Sequence, residues 1–337
     1  MAVRLRDVAR EAGVSIKTVS NVVNNRPVVR PATRARVEAA IEALGYRPNA
    51  TARQLRYGRS GFLALVVPQI DSPYFSTLAS AFTQKALQRG WVTLLETTQG
   101  SRDAELAVLA GQQSHLVDGI AFSPLSLSPA DVRNRTDDTP MVLLGERGIP
   151  DGFPHVAVDS VAAANAVVTH LIRGGRRRIA AIGVESVQGT ASVRLAGYRS
   201  ALATAGISER QEYIVGVSEY TRSAGRDAMA SLLRLPEPPD AVFCFNDVMA
   251  IGALKACAEA GVDVPSQVAI AGFDDIPEGE FSTPSLTTIR PDLDALVEGM
   301  LDNLLGQVQG RDERPAAPVG WELVVRESAP AGRSNGM

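Results

Sequence analysis

Apolar residues near the start of the chain recur at helical spacing and form three short stripes. Gly13, Val14 and Ser15 separate the first stripe from the second. Glycine adopts the positive φ that a sharp turn between helices needs, and Ser15 can cap the following helix by accepting a backbone hydrogen bond. The spacing is typical of a helix-turn-helix, although glycine-linked helix pairs also occur in all-α cores. The stripes consist of Leu5, Val8, Ala9 and Ala12, then Ile16, Val19, Val22 and Val23, then Val37, Ala40, Ile41 and Leu44.

From Gly61 onward the pattern alternates between continuous apolar runs and amphipathic stretches. The run FLALVVP, between Gly61 and Pro68, is typical of a parallel strand that is buried on both faces. Repeated strand and helix units with right-handed crossovers predict an α/β body of two doubly wound parallel-sheet lobes. Helices are predicted over residues 75–89, 102–115, 160–173, 193–205, 222–233, 247–259 and 293–305.

The composition is that of a globular protein with a large core, since 45% of the 337 residues are hydrophobic. The short apolar start Met1-Ala2-Val3 runs directly into Arg4, and no apolar run approaches the roughly 18 residues of a membrane span. A cytoplasmic protein without a membrane segment is therefore expected. Cys244 and Cys257 lie in apolar runs without partners at metal-ligand spacing, so buried thiols and no metal or cofactor are expected.

Charge is distributed unevenly along the chain. Residues 1–59 contain twelve Arg or Lys and four Asp or Glu, a net charge of +8, whereas the rest contains 22 and 33, a net charge of −11. A basic arm on an acidic body indicates a polyanionic partner, and with a helix-turn-helix the expected partner is double-stranded DNA.

Several segments resemble one family. RDVAREAGVSIKTVSNVVN and VRPATRARVEAAIEALGYRPNATARQLR resemble the DNA-binding headpiece and hinge of the lactose-repressor and galactose-repressor (LacI/GalR) family of bacterial transcription regulators. DSPYF, RLAGYR, FNDVMAIGAL and VPSQVAIAGFDDI resemble later segments of that family and occur in the same order. The resemblance therefore extends over nearly the whole chain.

The resemblance implies a domain organisation. A small all-α helix-turn-helix headpiece is expected over 1–48, a hinge helix or linker over 49–60, and a periplasmic-binding-protein-like body of type I over 61–330, with a tail over 331–337. The first lobe is expected to comprise about 61–159 and 290–318, and the second about 160–289 and 319–330. The helix that follows Pro291 is expected in the first lobe and the last strand in the second.

Candidate DNA-binding residues lie mainly on the second helix, whose outer side should present Ile16, Lys17 and Asn21 to phosphates, thymine methyl groups and base edges. The resemblance implies that Leu55 inserts into a minor-groove step, and the alternative is an ordinary linker whose leucine packs on the body. The predicted DNA contacts are Arg4, Ser15, Ile16, Lys17, Thr18, Ser20, Asn21, Asn24, Arg30, Asn49, Ala52, Arg53 and Leu55.

Candidate ligand-binding residues follow the ends of the predicted strands, where doubly wound sheets bind their ligands. Carboxylates, an amide and a guanidinium can hydrogen-bond vicinal hydroxyls, which suits a polyol. Helix capping is the simpler explanation for Asn246, and Glu146 and Asp71 depart from the family pattern, in which aspartate and asparagine are common there. The predicted effector-binding residues are Asp71, Tyr74, Ser123, Glu146, Arg194, Tyr220, Asn246 and Asp274.

The sequence lacks the motifs that define competing classes of protein. The segment VVPQIDSPYF has no glycine-rich turn for a dinucleotide, and Ser123 lacks the surroundings of a nucleophile, so the chain is predicted not to be an enzyme. A periplasmic solute receptor would need a signal peptide and no basic headpiece. The prediction is a homodimeric repressor of a near-palindromic operator, controlled by a small molecule, most simply a sugar. The alternative is a nucleoside or other non-sugar co-repressor.

Overall fold

The computed structural model describes residues 3–23, 27–46, 59–112, 114–145, 149–183, 190–311 and 318–331. The chain divides into two compact units, Met1–Gly61 and Phe62–Met337. None of the helices in the described ranges is long and apolar enough to cross a membrane.

The described residues of the first unit include the helices α1 (Leu5–Glu11), α2 (Ile16–Val23) and α3 (Pro31–Leu44). Gly13 has φ +62°, and the Ser15 hydroxyl accepts the backbone N–H of Thr18 at 3.1 Å. The predicted turn and helix cap are both confirmed. The buried side chains of the three helices form one core, which comprises Val8, Ala9, Ala12, Val19, Val22, Val37 and Ala40 together with Tyr46.

The first lobe of the second unit is a parallel five-stranded sheet in the order β2-β1-β3-β4-β5. Its strands are β1 (Phe62–Val67), β2 (Val92–Thr97), β3 (Gly119–Phe122), β4 (Met141–Leu144) and β5 (His155–Val156). Its helices are α4 (Pro73–Gln88), α5 (Arg102–Leu109) and α6 (Pro129–Arg133). Helix α5 is shorter than predicted, because the chain turns at Gly111, which has φ +80°.

The second lobe repeats this arrangement with four parallel strands in the order β7-β6-β8-β9. Its strands are β6 (Ile179–Ile182), β7 (Ile214–Val215), β8 (Ala241–Cys244) and β9 (Ala269–Ala271). Its helices are α7 (Ser160–Arg173), α8 (Thr190–Thr204), α9 (Arg222–Leu233), α10 (Asp247–Ala260) and α11 (Pro277–Glu280). The predicted fold class, a helical headpiece and a body of two doubly wound lobes, is confirmed.

Both sheets reverse their strand order next to their first strand, and such switch points create a crevice beyond the carboxyl ends of the strands. In the first lobe the switch lies between β1 and β3, and in the second it lies between β6 and β8. The segments that follow these four strands are therefore placed to line a site.

The lobes are joined by a two-stranded antiparallel ribbon, β10 (Thr288–Pro291) and β11 (Trp321–Val324). Between them, α12 (Leu293–Val308) packs into the core of the first lobe. After β11 the chain returns to the second lobe, where the carbonyl of Ser328 accepts the N–H of Ile270 at 3.0 Å. Bridge pairing of Val158 with Val319 marks a third crossing between the lobes.

Glycines allow two helix pairs of the second lobe to approach closely. A Cβ atom at Gly197 of α8 would lie 2.3 Å from the carbonyl oxygen of Val161 on α7. A Cβ atom at Gly252 of α10 would lie 2.0 Å from the carbonyl oxygen of Arg222 on α9. Neither distance is compatible with a side chain, so these backbones pack directly on each other.

Candidate functional site

Helix α2 presents a polar and apolar surface that suits a DNA groove. The Ile16 side chain is 50% exposed, Lys17 is exposed and Asn21 is half-buried. The hydroxyl of Thr18 is hydrogen-bonded to that of Ser15 at 2.9 Å. Ser20, another predicted DNA contact on this helix, is only 4% exposed.

Two further predicted DNA contacts lie at exposed positions beside helices of the headpiece. Arg4 is exposed just before α1, and its backbone N–H donates to the Asp7 carboxylate at 2.9 Å. Arg30 is exposed and occupies the N-cap position of α3. The remaining contacts, Asn24, Asn49, Ala52, Arg53 and Leu55, lie outside the described residues, as does the predicted effector residue Glu146.

Three of the predicted effector residues come together between the lobes. Arg194, in the first turns of α8, is 8% exposed and stacks on the Phe273 ring at 3.6 Å from its centroid. Its Nη1 donates to the carbonyl of Phe245, and its Nη2 lies 3.4 Å from Oδ1 of Asp274. Its Nε is buried and has no hydrogen-bond partner among the described residues. The guanidinium therefore keeps one donor for a further partner.

Asp274 and Tyr74 face each other from opposite lobes. Burial raises the pKa of Asp274 to about 6, against the lowering effect of the nearby Arg194 guanidinium. Burial, with the Asp274 carboxylate second, also raises the pKa of the Tyr74 phenol. Asp274 has φ +110°, a conformation that only a constrained turn imposes on a non-glycine residue. A neutral phenol thus borders a carboxylate that is short of hydrogen-bond donors.

The other effector candidates are placed around these three. Asn246 is 7% exposed and caps α10 by accepting the N–H of Met249 at 2.9 Å, so the capping role is confirmed. The Tyr220 hydroxyl donates to the carbonyl of Gly183 at 2.9 Å, which holds its ring near the end of β6. Ser123 is buried directly after β3, and Asp71 is exposed in the segment after β1.

A buried carboxyl behind the cleft was not identified as such from the sequence. Asp247 is fully buried and accepts the hydroxyl of Thr288 at 2.6 Å and the N–H of Ile276 at 2.9 Å. Its pKa is raised, first by burial and then by the Asp274 charge. A Cβ atom at Gly272 would lie 2.0 Å from Oδ1 of Asp247, so only glycine fits beside it. Asp247 therefore ties the Asp274 turn to β10.

An ion-pair cluster lies beside the ribbon. Asp275 has φ +51° and accepts Nε of Arg290 at 2.5 Å, and it also pairs with Arg326 at 2.7 Å. Nη1 of Arg290 pairs with Glu322 of β11 at 2.6 Å. The turn that carries Asp274 is thus fixed to both strands that connect the lobes.

A helix-turn-helix unit and a two-lobed body with a polar interlobe cleft define a ligand-responsive DNA-binding regulator. Residues 4–49 match the family model of bacterial regulatory proteins, lacI family, and residues 168–329 match that of a periplasmic binding protein-like domain. The chain belongs to the lacI family of bacterial transcriptional regulators, which confirms the resemblance inferred from the sequence.

The sequence similarity to known proteins extends over almost the full length of the chain. The chain is 34% identical to the HTH-type transcriptional repressor CytR of Escherichia coli (strain K12), over 98% of this chain and 97% of that protein. It is 32% identical to the ribose operon repressor of the same strain, over 90% and 92%. A solved Lac repressor dimer, bound to operator and the anti-inducer ONPF, superposes with a TM-score of 0.87 at 27% identity, covering 98% of this chain and all of that one. These relatives are DNA-binding repressors rather than enzymes.

Proposed function

We propose that this regulator is a cytoplasmic homodimer whose affinity for a near-palindromic operator is set by a sugar bound between its lobes. The observation that carries the proposal is the grouping of Arg194, Asp274 and Tyr74, which the two lobes contribute jointly. Arg194 offers an unpaired donor and Asp274 offers a carboxylate with few donors, and vicinal hydroxyls satisfy both.

The ligand is expected to change the body by adding contacts to both lobes. Arg194 and Asp274 are joined by a single 3.4 Å contact, which is longer than a normal charge-assisted hydrogen bond. Sugar hydroxyls can bond each group at shorter distances while the ring covers Tyr74. A ligand that touches both lobes favours one interlobe angle, and such coupling typically changes the affinity at a second site by about 5–150-fold.

The homodimer is supported by an exposed apolar surface on the first lobe. Strand β2 forms the edge of its sheet, and Val92, Leu94 and Leu95 are 48%, 37% and 47% exposed. Leu87, at the end of α4, is 65% exposed. Exposed apolar residues on an unpaired edge strand are costly in a monomer, and a second copy of the chain would cover them. Two headpieces would then read two half-sites.

The test combines ligand screening with operator binding. Sugars, sugar phosphates and nucleosides are screened by thermal shift, and operator affinity is then measured with and without each ligand that binds. Arg194→Ala and Asp274→Ala should abolish the ligand response and preserve operator binding without ligand. Lys255→Ala is a matched control, because Lys255 is an exposed cation of the same lobe paired with Glu259 at 3.4 Å. Unchanged ligand affinity in both cleft variants would refute the assignment.

A further inference from the structure

The turn after β9 carries two consecutive aspartates whose carboxylates contact different parts of the protein. Oδ1 of Asp274 lies 3.4 Å from Nη2 of Arg194 in the cleft. The carboxylate of Asp275 instead pairs with Arg290 of the ribbon at 2.5 Å and with Arg326 at 2.7 Å. Both aspartates have positive φ, +110° and +51°, which only a constrained turn imposes on non-glycine residues. Because one planar peptide bond joins them, a displacement of Asp274 also moves Asp275.

The backbone of this turn runs beside β10, the strand that leads to α12 and the first lobe. The N–H of Gly272 donates to the carbonyl of Thr287 at 2.9 Å, and the N–H of Asp274 donates to the carbonyl of Ile289 at 2.9 Å. A parallel bridge between Ala271 and Thr287 continues this pairing. The cleft turn and the ribbon are therefore hydrogen-bonded neighbours, and a shift of one displaces the other.

The two arginines that pair with Asp275 belong to different parts of the fold. Arg326 follows β11 in the segment that returns to the second lobe; its side chain is 13% exposed, and its Nη1 also donates to the carbonyl of Leu286 at 2.8 Å. Arg290 lies on β10 with its side chain 48% exposed, and its Nη1 pairs with Glu322, directly opposite on β11, at 2.6 Å. Arg326 thus anchors Asp275 in the second lobe, whereas Arg290 joins Asp275 to both strands of the ribbon.

Burial decides which of the two contacts of Asp275 can change. A buried ion pair is costly to break, because the remaining charge is left without a partner in a region that excludes water. A half-exposed pair exchanges its partner for water at little cost. The contact with Arg326 is therefore fixed, and the contact with Arg290 is the one that can open and close as the angle between the lobes changes.

We propose that Asp275 is a positioning residue of this regulator: through Arg290 it fixes the ribbon to the cleft turn and so selects the interlobe angle that the protein adopts. Asp275 acts through the ribbon rather than on the ligand, because both of its carboxylate oxygens are paired with arginines. The inference rests on the proposed function and adds the route by which an event at Asp274 reaches the first lobe. A ligand that moves Asp274 changes the geometry of the contact between Asp275 and Arg290, and the ribbon moves with it.

The interlobe distance in the full chain, measured without any ligand, tests the proposal. Nitroxide labels are attached at two exposed positions, Asp103→Cys on α5 of the first lobe and Lys255→Cys on α10 of the second. Cys244 and Cys257 are buried and so do not react with the label. Labelled chains are diluted with unlabelled chains, and pulsed electron paramagnetic resonance then measures one distance, between the two lobes of one chain.

Arg290→Gln removes the contact with the ribbon and keeps the buried pair of Asp275 with Arg326. We expect a broader distribution of interlobe distances with a shifted mean. Arg199→Gln is the matched control, because Arg199 is 53% exposed on α8 and its Nε bonds Glu209 at 2.6 Å, away from the ribbon. It removes the same charge and one similar ion pair, and it should keep the distance distribution of the parent protein.

Salt provides a second readout that a purely structural role of Asp275 would not change. The Debye length falls from about 10 Å at 0.1 M salt to about 3 Å at 1 M, which weakens half-exposed ion pairs. The distance distribution of the parent should therefore broaden towards that of Arg290→Gln as salt is raised. The distribution of Arg290→Gln should stay unchanged, and Arg199→Gln should respond to salt as the parent does.

Operator affinity connects the interlobe distance to regulation. The probe is a DNA duplex selected from random sequences with the parent protein. Because the interlobe angle sets operator affinity under the proposed function, Arg290→Gln should change this affinity by about fivefold or more, the lower end of typical coupling between sites. Arg199→Gln loses the same charge and should bind the duplex as the parent does.

Several results would overturn the assignment of Asp275. They are distance distributions in Arg290→Gln and Asp275→Asn that match the parent, equal broadening in Arg199→Gln, or a changed distance with unchanged operator affinity. Each of these would leave a sugar-responsive regulator in place. A parent protein that binds none of the screened sugars would instead refute the proposed effector, and the distance measurements would still decide the role of Asp275.

Discussion

Asp274 is a carboxyl whose charge decides how well hydroxyl groups bind beside it. Its pKa is raised to about 6, so the carboxylate predominates above that pH and the neutral acid below it. Because ligand hydroxyls donate hydrogen bonds to the carboxylate, the affinity for the ligand should be constant above about pH 6. Below that pH it should fall by up to about tenfold per pH unit. Calorimetry between pH 5 and pH 8 measures this dependence.

The neighbouring groups require a control. Arg194, Tyr74 and Asp247 act electrostatically on the same site, and Asp247 also has a raised pKa. Asp274→Asn cannot ionise, so its weaker residual binding should be independent of pH. A dependence that persists in this variant would assign the titration to Asp247 instead.

A separate prediction concerns the contribution of Asp247 to the free energy of unfolding. Asparagine can keep both contacts, accepting the N–H of Ile276 and donating to Thr288, whereas alanine leaves a buried donor unsatisfied at a cost of about 1–3 kcal/mol. Because the folded-state pKa of Asp247 is raised, the stability it contributes is full below its unfolded pKa and is lost as pH rises through the folded value. The free energy of unfolding of Asp247→Asn should therefore increase relative to that of the parent protein as pH rises. Urea denaturation of both proteins at pH 5 and pH 8 measures this difference.

The polar residues in the segments that follow strands could be predicted from the sequence, whereas the residues that pack behind them could not. Asn246 and Asp274 could be selected because polar side chains after strand ends are conspicuous in an apolar sequence, and Arg194 because it lies near the start of the helix that follows β6. Phe273 resembled any core aromatic, yet it lies under the Arg194 guanidinium. The bond between Asp247 and Thr288 joins residues 41 positions apart, and no local pattern indicates such a pair.

Among the elements, the α7 and α8 helix pair controls the position of Arg194. Gly197→Ala would force its Cβ atom against the carbonyl of Val161, moving α8 and the guanidinium that it carries. We expect a loss of about 1–3 kcal/mol in the free energy of unfolding together with weaker ligand binding. Gly299→Ala on α12 is the control, because its Cβ atom would meet Val156 at an ordinary 3.4 Å. Equal ligand affinity in both variants would mean that α8 tolerates the displacement.

Strand β2 is the element that the proposed homodimer depends on. Leu95→Glu introduces a charge on the exposed edge and should yield monomers by analytical ultracentrifugation, with operator affinity reduced and ligand affinity retained. Val325→Glu is the control, since Val325 is 43% exposed and follows β11 rather than β2. A Leu95→Glu protein that remains dimeric would exclude this edge from the interface.

Element types were easier to predict than element ends and connections. The helices at Ser160–Arg173 and Arg222–Leu233 have the predicted bounds, because Asp159 and Thr221 cap them with their side chains. The pairing of β10 with β11 could not be predicted from periodicity, because two short strands separated by a helix carry no signal of their partner. Only the resemblance indicated that the chain crosses between lobes there.

At the scale of the whole molecule, the uneven charge predicts how binding to DNA depends on salt. The arm of net charge +8 should contact several phosphates, and each contact lowers the slope of log K against log salt by about 0.9. Lys17→Ala should make the slope shallower by about one contact, whereas Lys255→Ala, in the second lobe, should leave it unchanged. Operator titrations between 50 and 200 mM salt measure the difference, and identical slopes would remove Lys17 from the phosphate contacts.

The return of α12 to the first lobe has a consequence for biosynthesis. Leu296, Met300, Leu301 and Leu304 complete the core that begins with Leu63 in β1, although they are made last. A nascent chain that has already emerged through β9 therefore still exposes one face of its first sheet to solvent. Chains grow at about 5–20 residues per second, so this face stays uncovered for many seconds. Ribosome-bound chaperones should engage the N-terminal half of this protein for most of its translation.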